Sequence, residues 1–302
     1  MMSIEQLNNQ HGIAGQVTFE TGEGGLPFIR VRNDKATALI SIYGGQVLAF
    51  HPKHTDSDLL FLSKRAYYQS GKAIKGGVPI CWPWFGPDPE GLNRPAHGFM
   101  RNRLWEVVET ASTTEGDICV VLGLSDTPET QAIWPRTFVL RLEITIGESL
   151  NLALVTRNPG SQEFAITQAF HTYFSVDDIS QVKVSGLENT QYIDKVNDNQ
   201  QVNQSGAVTI HSETDRIYLN IGNELVIHDE AMKRRIHIIS KGNRTAVVWN
   251  PWAKISAEMA DLQDDDYLRF ICVETTNAAT DFINIQPGSE FRLVANYRVE
   301  QD

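Results

Sequence analysis

The sequence predicts an all-β protein built as a large antiparallel sandwich, and two observations carry that expectation. Short runs of β-branched, aromatic and aliphatic residues recur roughly every 8 to 15 residues with polar turns between them. No stretch sustains a 3.6-residue apolar period for long. A chain of 302 residues with 41% hydrophobic content can fill a sizeable core, and sandwiches of this length fold as one unit. The expected domain is therefore 1–302, a single sandwich without internal repeat, low-complexity tract or dividing linker.

In order, Phe28 to Arg32, Ala36 to Tyr43 and Gln46 to His51 come first. Gly44-Gly45 turns the second into the third, because glycine adopts the positive φ of tight turns. Leu104 to Glu109 and Ile118 to Leu124 follow. In Phe138 to Ile146, the residues Phe138, Leu140, Leu142, Ile144 and Ile146 share one face, and Arg141, Glu143 and Thr145 the other. Gly147-Glu148 folds this run onto Leu150 to Arg157 as a hairpin. Within Phe164 to Ser175, Phe164, Ile166, Phe170 and Phe174 fall on one side, and Ala165, Thr167, Ala169, His171 and Tyr173 on the other. One strand thus sets His171 among small and polar neighbours, where a ligand has room to reach it. Gln181 to Ser185, Gln191 to Ile193, Val208 to His211, Glu224 to Asp229, Arg234 to Ser240, Thr245 to Asn250, Leu268 to Glu274 and Glu290 to Val299 complete the strands. Residues 57 to 68 and 127 to 134 have room for short turns of helix.

A formal net charge of −11 disfavours nucleic acid, whose phosphates need clustered Lys and Arg. It leaves a small anion open, since two or three local cations outweigh a diffuse charge screened beyond about 8 to 10 Å. No apolar run approaches the roughly 20 residues of a bilayer span. The N-terminal MMSIEQLNNQHGIAG lacks the basic and apolar regions of a signal peptide, so the cytoplasm is the expected compartment. Cys81, Cys119 and Cys272 are odd in number and widely spaced, which argues for reduced core thiols rather than disulfides or a zinc site.

Four stretches stand out. KAIKGGVPICWPWFGP, Lys72 to Pro87, is expected as a rigid irregular loop: Gly76-Gly77 permits close backbone approach, while Trp82, Trp84 and Phe85 serve as core plugs or as flat surface for a sugar. AHGFMRNR, Ala96 to Arg103, sets His97 beside Gly98 and offers Arg101, whose guanidinium forks onto phosphate, carboxylate or an acidic side chain. ETDRIYL, Glu213 to Leu219, places Asp215 just before a strand, to bind sugar hydroxyls or cap a turn. RFICVETTN, Arg269 to Asn277, puts Glu274 near the C-terminal end of an apolar strand, where a carboxylate is costly unless paired or partly solvated.

Together with VVWNPW at 247 to 252, these motifs closely resemble the D-hexose-6-phosphate mutarotases of the aldose 1-epimerase superfamily, over roughly residues 25 to 298. The resemblance implies a β-supersandwich like that of galactose mutarotase, without metal or organic cofactor. It implies His171 as catalytic acid, Glu274 as catalytic base, Asp215 as a substrate-binding acid, Lys75 and Arg101 as the cations that hold the phosphate, and His97 as a second histidine at the ring oxygen. Lys75 stands where many members have Arg, and Ala96 where some have Gln. The partner implied is a small sugar phosphate; the chain is expected to be a monomer, and its charge and hydropathy point to neither nucleic acid nor membrane.

The chemistry asks for these residue types. Anomer exchange removes the proton of the C1 hydroxyl while protonating ring oxygen O5, so one acid and one base on opposite sides of the bond suffice. A histidine starts near neutrality, and apolar neighbours raise a glutamate toward it. A non-catalytic sugar-binding module has no need of such a pair, and a glycoside hydrolase needs two carboxylates and leaves His171 idle. A mutarotase of neutral aldoses has no partner for the Lys75 and Arg101 charges.

Overall fold

A computed structural model describes residues 2–301 of the chain. The first element, α1 (Ile4–His11), is a helix too short to stand out as a periodic run. Its start is set by a reciprocal cap, in which Gln6 N donates to the Ser3 hydroxyl and Ser3 N donates to the Gln6 side chain. The strands β1 (Val17–Thr21), β2 (Pro27–Arg32), β3 (Ala36–Ser41) and β4 (Gln46–Pro52) form a meander. Next come β5 (Ile80–Cys81), β6 (Glu106–Ser112), β7 (Ile118–Ser125), α2 (Pro128–Ile133), β8 (Val139–Ile146) and β9 (Leu150–Arg157). Helix α2 lies in the expected 127 to 134, capped by the Thr127 hydroxyl with Pro128 at its first position.

Residues 57 to 68 hold no helix. The Asp58 carboxylate accepts from the backbone N–H groups of Phe50 and Leu60, which fixes a turn instead. Leu60 and Leu62 then bridge Phe174 and Gly76 as isolated antiparallel pairs.

The second half supplies β10 (Phe164–Ile166), β11 (Gln168–Phe170), β12 (Tyr173–Ser175), β13 (Val182–Ser185), β14 (Gln191–Asp194), β15 (Gln200–Asn203) and β16 (Val208–Thr209). After them run β17 (Thr214–Leu219), β18 (Glu224–Asp229), β19 (Arg234–Lys241), β20 (Thr245–Asn250), α3 (Trp252–Glu258), β21 (Phe270–Asn277), β22 (Ile283–Ile285) and β23 (Glu290–Gln301). The expected single strand from Phe164 to Ser175 is thus three short ones. β10 pairs with β22, whereas β11 and β12 pair with β21. Between these two, the N–H groups of His171 and Tyr173 donate to the carbonyls of Pro79 and Gly77, so a loop replaces a strand as edge partner.

Two large antiparallel sheets dominate, one of nine strands ordered β16-β13-β18-β19-β23-β9-β8-β7-β6 and one of eight containing β15-β14-β17-β20-β21-β11-β5. One hydrophobic cluster joins them: Leu142, Ile144, Leu154, Ile238 and Leu293 from the first sheet, with Ala246, Val248, Ile271 and Val273 from the second. At period two, the alternate residues of β17, β20 and β21, among them Asp215, Ile217, Val247, Trp249, Cys272 and Glu274, face away from this cluster. Loops cover that face, so β21 is buried along its whole length. Trp82 and Trp84 plug the core, with their indole N–H groups donating to Thr156 Oγ1 and to the Pro95 carbonyl.

Candidate active site

Strand register assembles half of the site. β11 and β12 keep one register against β21, with Phe170 opposite Thr275 and Tyr173 opposite Cys272. Carried through the two residues between them, this register sets His171 opposite Glu274. Side chains directly opposite on one face approach closely, and His171 Nε2 lies 3.5 Å from Glu274 Oε1. On the other side of β21, Cys272 pairs with Trp249, and Trp249 in turn with Asp215. Histidine, glutamate, tryptophan and aspartate therefore share one face across neighbouring strands. Two expectations are corrected. Asp215 is the second residue of β17 rather than preceding a strand, and Glu274 is the fifth of eight residues in β21 rather than near its end.

Loops bring the remainder. Gly76 and Gly77 have φ of 112° and 61°, and a Cβ on Gly77 would sit 2.2 Å from the Val47 carbonyl oxygen. This close approach seats Lys75 over the face. His97 has a φ of 65°, and Gly98 behind it leaves no space for a side chain against the Trp82 carbonyl. The Gly86 N–H donates to His97 Nδ1 at 3.3 Å, so the neutral ring carries its proton on Nε2. Arg101 is tied by one bond, from Nη2 to the Ala96 carbonyl at 3.0 Å.

All six expected residues, Lys75, His97, Arg101, His171, Asp215 and Glu274, line a single cavity of about 750 Å³. Tyr173, Trp249, Phe85, Met259, Lys195 and Gln201 line it too. Tyr173 stacks on His171 with ring centroids 5.0 Å apart, and Trp249 meets the same imidazole edge-on at 5.9 Å. Counting in twos along β12 and β20 marks both aromatics as cavity-facing. Met259 and Lys195 carry no such signal, because loop and hairpin geometry brings them in.

Burial controls the charges. It pushes the Glu274 carboxyl well above its ordinary value, Asp215 adding to the rise and Arg101 opposing it. Burial likewise holds His171 well below 6.5, with His97, Arg101 and Lys75 lowering it further. His97 is held down to about 3 by burial, then by Arg101 and Lys75. Both shifts favour the uncharged forms, a protonated carboxyl beside an unprotonated imidazole. Glu274 Oε2, His171 Nδ1 and Arg101 Nε are buried without a hydrogen-bond partner among the described residues. A native fold tolerates such a concentration where a polar ligand binds. The arrangement sets a carboxyl and an imidazole side by side with two cations, Lys75 and Arg101, in the same cavity.

A stability test follows from the Glu274 shift. Between the unfolded value near 4.3 and the raised folded value, the folded state binds a proton that the unfolded chain lacks. Stability from this group is therefore full below about pH 4 and is lost as pH rises through that window, at about 1.4 kcal/mol per unit. Glu274→Gln removes the loss. Its unfolding temperature is expected to match wild type near pH 4 and to exceed it as pH rises above that value, by roughly 2 °C per kcal/mol. Calorimetry of both proteins across that range checks the sign; a variant less stable at pH 8 than at pH 4, relative to wild type, contradicts it.

Comparison with known proteins agrees with this geometry. The sequence profile of the family described as aldose 1-epimerase matches residues 27–298. The chain is 38% identical over 256 residues to an Escherichia coli K12 protein named "Putative glucose-6-phosphate 1-epimerase", with 84% of each chain covered. It is 37% identical over 264 residues to a protein of the same name from Cenchrus ciliaris, covering 84% of this chain and 79% of that one. The crystal structure of "a putative mutarotase (YeaD)" from Salmonella typhimurium superposes with a TM-score of 0.90 at 33% identity, over 97% of this chain and 96% of that one. A galactose mutarotase-like protein from Clostridium acetobutylicum shares the fold, at a TM-score of 0.72 and 15% identity, over 95% of this chain and 98% of that one. With nine-tenths of its length matched by the profile and its site assembled on this sandwich, the chain belongs to the aldose 1-epimerase family.

Proposed function

We propose that the chain interconverts the α and β anomers of a D-hexose 6-phosphate, glucose 6-phosphate first among them, by acid–base opening and reclosure of the ring. The carrying observation is the His171–Glu274 pair, 3.5 Å apart, in one cavity with Lys75 and Arg101. O1 and O5 of a pyranose are bonded to the same carbon and lie only about 2.3 Å apart. His171 and Glu274 stand close enough for each to reach one of these oxygens.

In the proposed reaction Glu274 takes the proton of the O1 hydroxyl while His171 gives one to O5. The electrons of the C1–O5 bond leave with O5, and those of the O–H bond become the second bond of the aldehyde. Rotation about C1–C2 then presents the other carbonyl face, and closure runs both transfers backwards. The reaction requires one proton on the pair, and the directions of both shifts favour a pair that carries one. Burial depresses His171 most and the cations add to it; a phosphate dianion on Lys75 and Arg101 offsets the cationic part, which shifts the proton from Glu274 toward the imidazole. His97, neutral and protonated at Nε2, donates toward the ring oxygen, and Asp215 accepts from sugar hydroxyls. The faces of Trp249 and Phe85 cover the apolar side of the sugar.

The names of the curated relatives support a phosphorylated substrate. The proposed enzyme works as a monomer in the cytoplasm, with residues 1–302 as one domain. Anomer-exchange NMR on glucose 6-phosphate, with and without the protein, tests the proposal. Exchange well above the spontaneous rate is expected; exchange at the spontaneous rate with folded protein overturns it.

A further inference from the structure

Lys75 is the one cation of the proposed phosphate pair that can lose its charge, and its surroundings press it to do so. Only 18% of its side chain is exposed. Arg101, the imidazoles of His97 and His171, Cys272 and Asp261 interact with its charge, and Tyr173, Asp215 and Glu274 line the same cavity. Burial lowers its pKa first, and Arg101 lowers it further. Asp261 is the carboxylate that lies beside it among the described residues, with Oδ2 3.5 Å from Nζ. The Met259 sulfur stands 3.9 Å from the same nitrogen.

The position of Asp261 is built rather than incidental. It lies in a tight turn where Leu262 N donates to the Met259 carbonyl, and the Leu262 side chain is fully buried. Gln263 N and the Ser63 hydroxyl both donate to Asp266 Oδ2, while Ser63 N donates to the Lys75 carbonyl. One serine therefore ties the loop carrying Lys75 to the turn carrying Asp261. An ammonium has three donors. With one spent on Asp261 and one near the sulfur, the third is left for the cavity.

Resting on the reading of Lys75 and Arg101 as phosphate ligands, we infer that Asp261 is a positioning residue that keeps the Lys75 ammonium charged and aimed at the substrate phosphate. The opposing effect is repulsion between Asp261 and the phosphate. Direct contact decides against it, because the carboxylate touches the ammonium while the phosphate approaches from the cavity side, with Arg101 supplying a second positive charge.

The test uses KM for glucose 6-phosphate and for free glucose between pH 6.5 and 9.5. Asp261→Asn, a near-isosteric change, is expected to raise KM for glucose 6-phosphate by roughly 10- to 100-fold at the alkaline end. The rise should be much smaller at pH 6.5, and KM for glucose should be unmoved. Adding Lys75→Arg to Asp261→Asn should remove the pH dependence, since a guanidinium stays protonated throughout. A lower KM for glucose 6-phosphate in Asp261→Asn overturns the inference and makes the aspartate a competitor of the phosphate. A rise that is independent of pH and untouched by Lys75→Arg overturns it in favour of a structural role. If Arg101→Ala loses the preference for the phosphorylated sugar while Asp261→Asn behaves as wild type, this inference fails alone. If neither variant alters that preference, the phosphate reading fails with it.

Discussion

His171→Asn and Glu274→Gln are each expected to lower catalysed anomer exchange by roughly 10²- to 10⁴-fold, the range for loss of one positioned proton transfer. Both changes keep volume and polarity in a site where the side chains are nearly enclosed, at 11% and 1% exposure. The fold should survive, and Glu274→Gln should be the more stable protein at neutral pH. The double variant should be little worse than either single one, because losing acid or base stops the same ring opening. Exchange rates of the three variants decide the matter. Losses that multiply, or a single variant with full activity, show that these two residues are not the working pair.

The second large effect concerns the phosphate. Arg101→Ala is expected to raise KM for glucose 6-phosphate strongly, with a much smaller change for free glucose. Hydrogen bonds to charged groups contribute about 1.5 to 3 kcal/mol each, so Lys75 and Arg101 together supply a preference of roughly 10²- to 10⁴-fold. Arg101 is poised for this role, since Nη2 is anchored on Ala96 and Nε is buried without a partner. Lys75→Arg should be tolerated, because a guanidinium fork matches a phosphate at least as well as a point charge does. Kinetics on both sugars at two salt concentrations provide the check. Equal weakening of both substrates by Arg101→Ala assigns it a structural role and favours a mutarotase of neutral aldoses.

Much of this protein was legible before any coordinates. Alternation in Phe138 to Ile146 and the Gly147-Glu148 turn gave the β8–β9 hairpin, because side chains on a strand report their face at period two. The same alternation separated Phe170 and Phe174 from His171 and Tyr173, and the motifs held the six expected residues that line the cavity. The short helices α1 and α3 were missed, since local caps and turns rather than a long apolar stripe specify them. The helical turn expected in 57 to 68 gave way to the Asp58 hydrogen bonds, which compete locally with a helix.

By itself the sequence determined the sandwich class, the acidic surface charge, the core faces of its strands and the residue types of the chemistry. Each of these depends on local pattern or on composition. Tertiary structure alone decided that His171 stands across from Glu274, that Trp249 and Asp215 continue the same face, and that Ser63 links the Lys75 backbone to Asp266 beside the Asp261 turn. Those relations rest on register between strands and on loops that meet far from their neighbours in the chain, and register is set by the packing of the whole sheet rather than by any one segment.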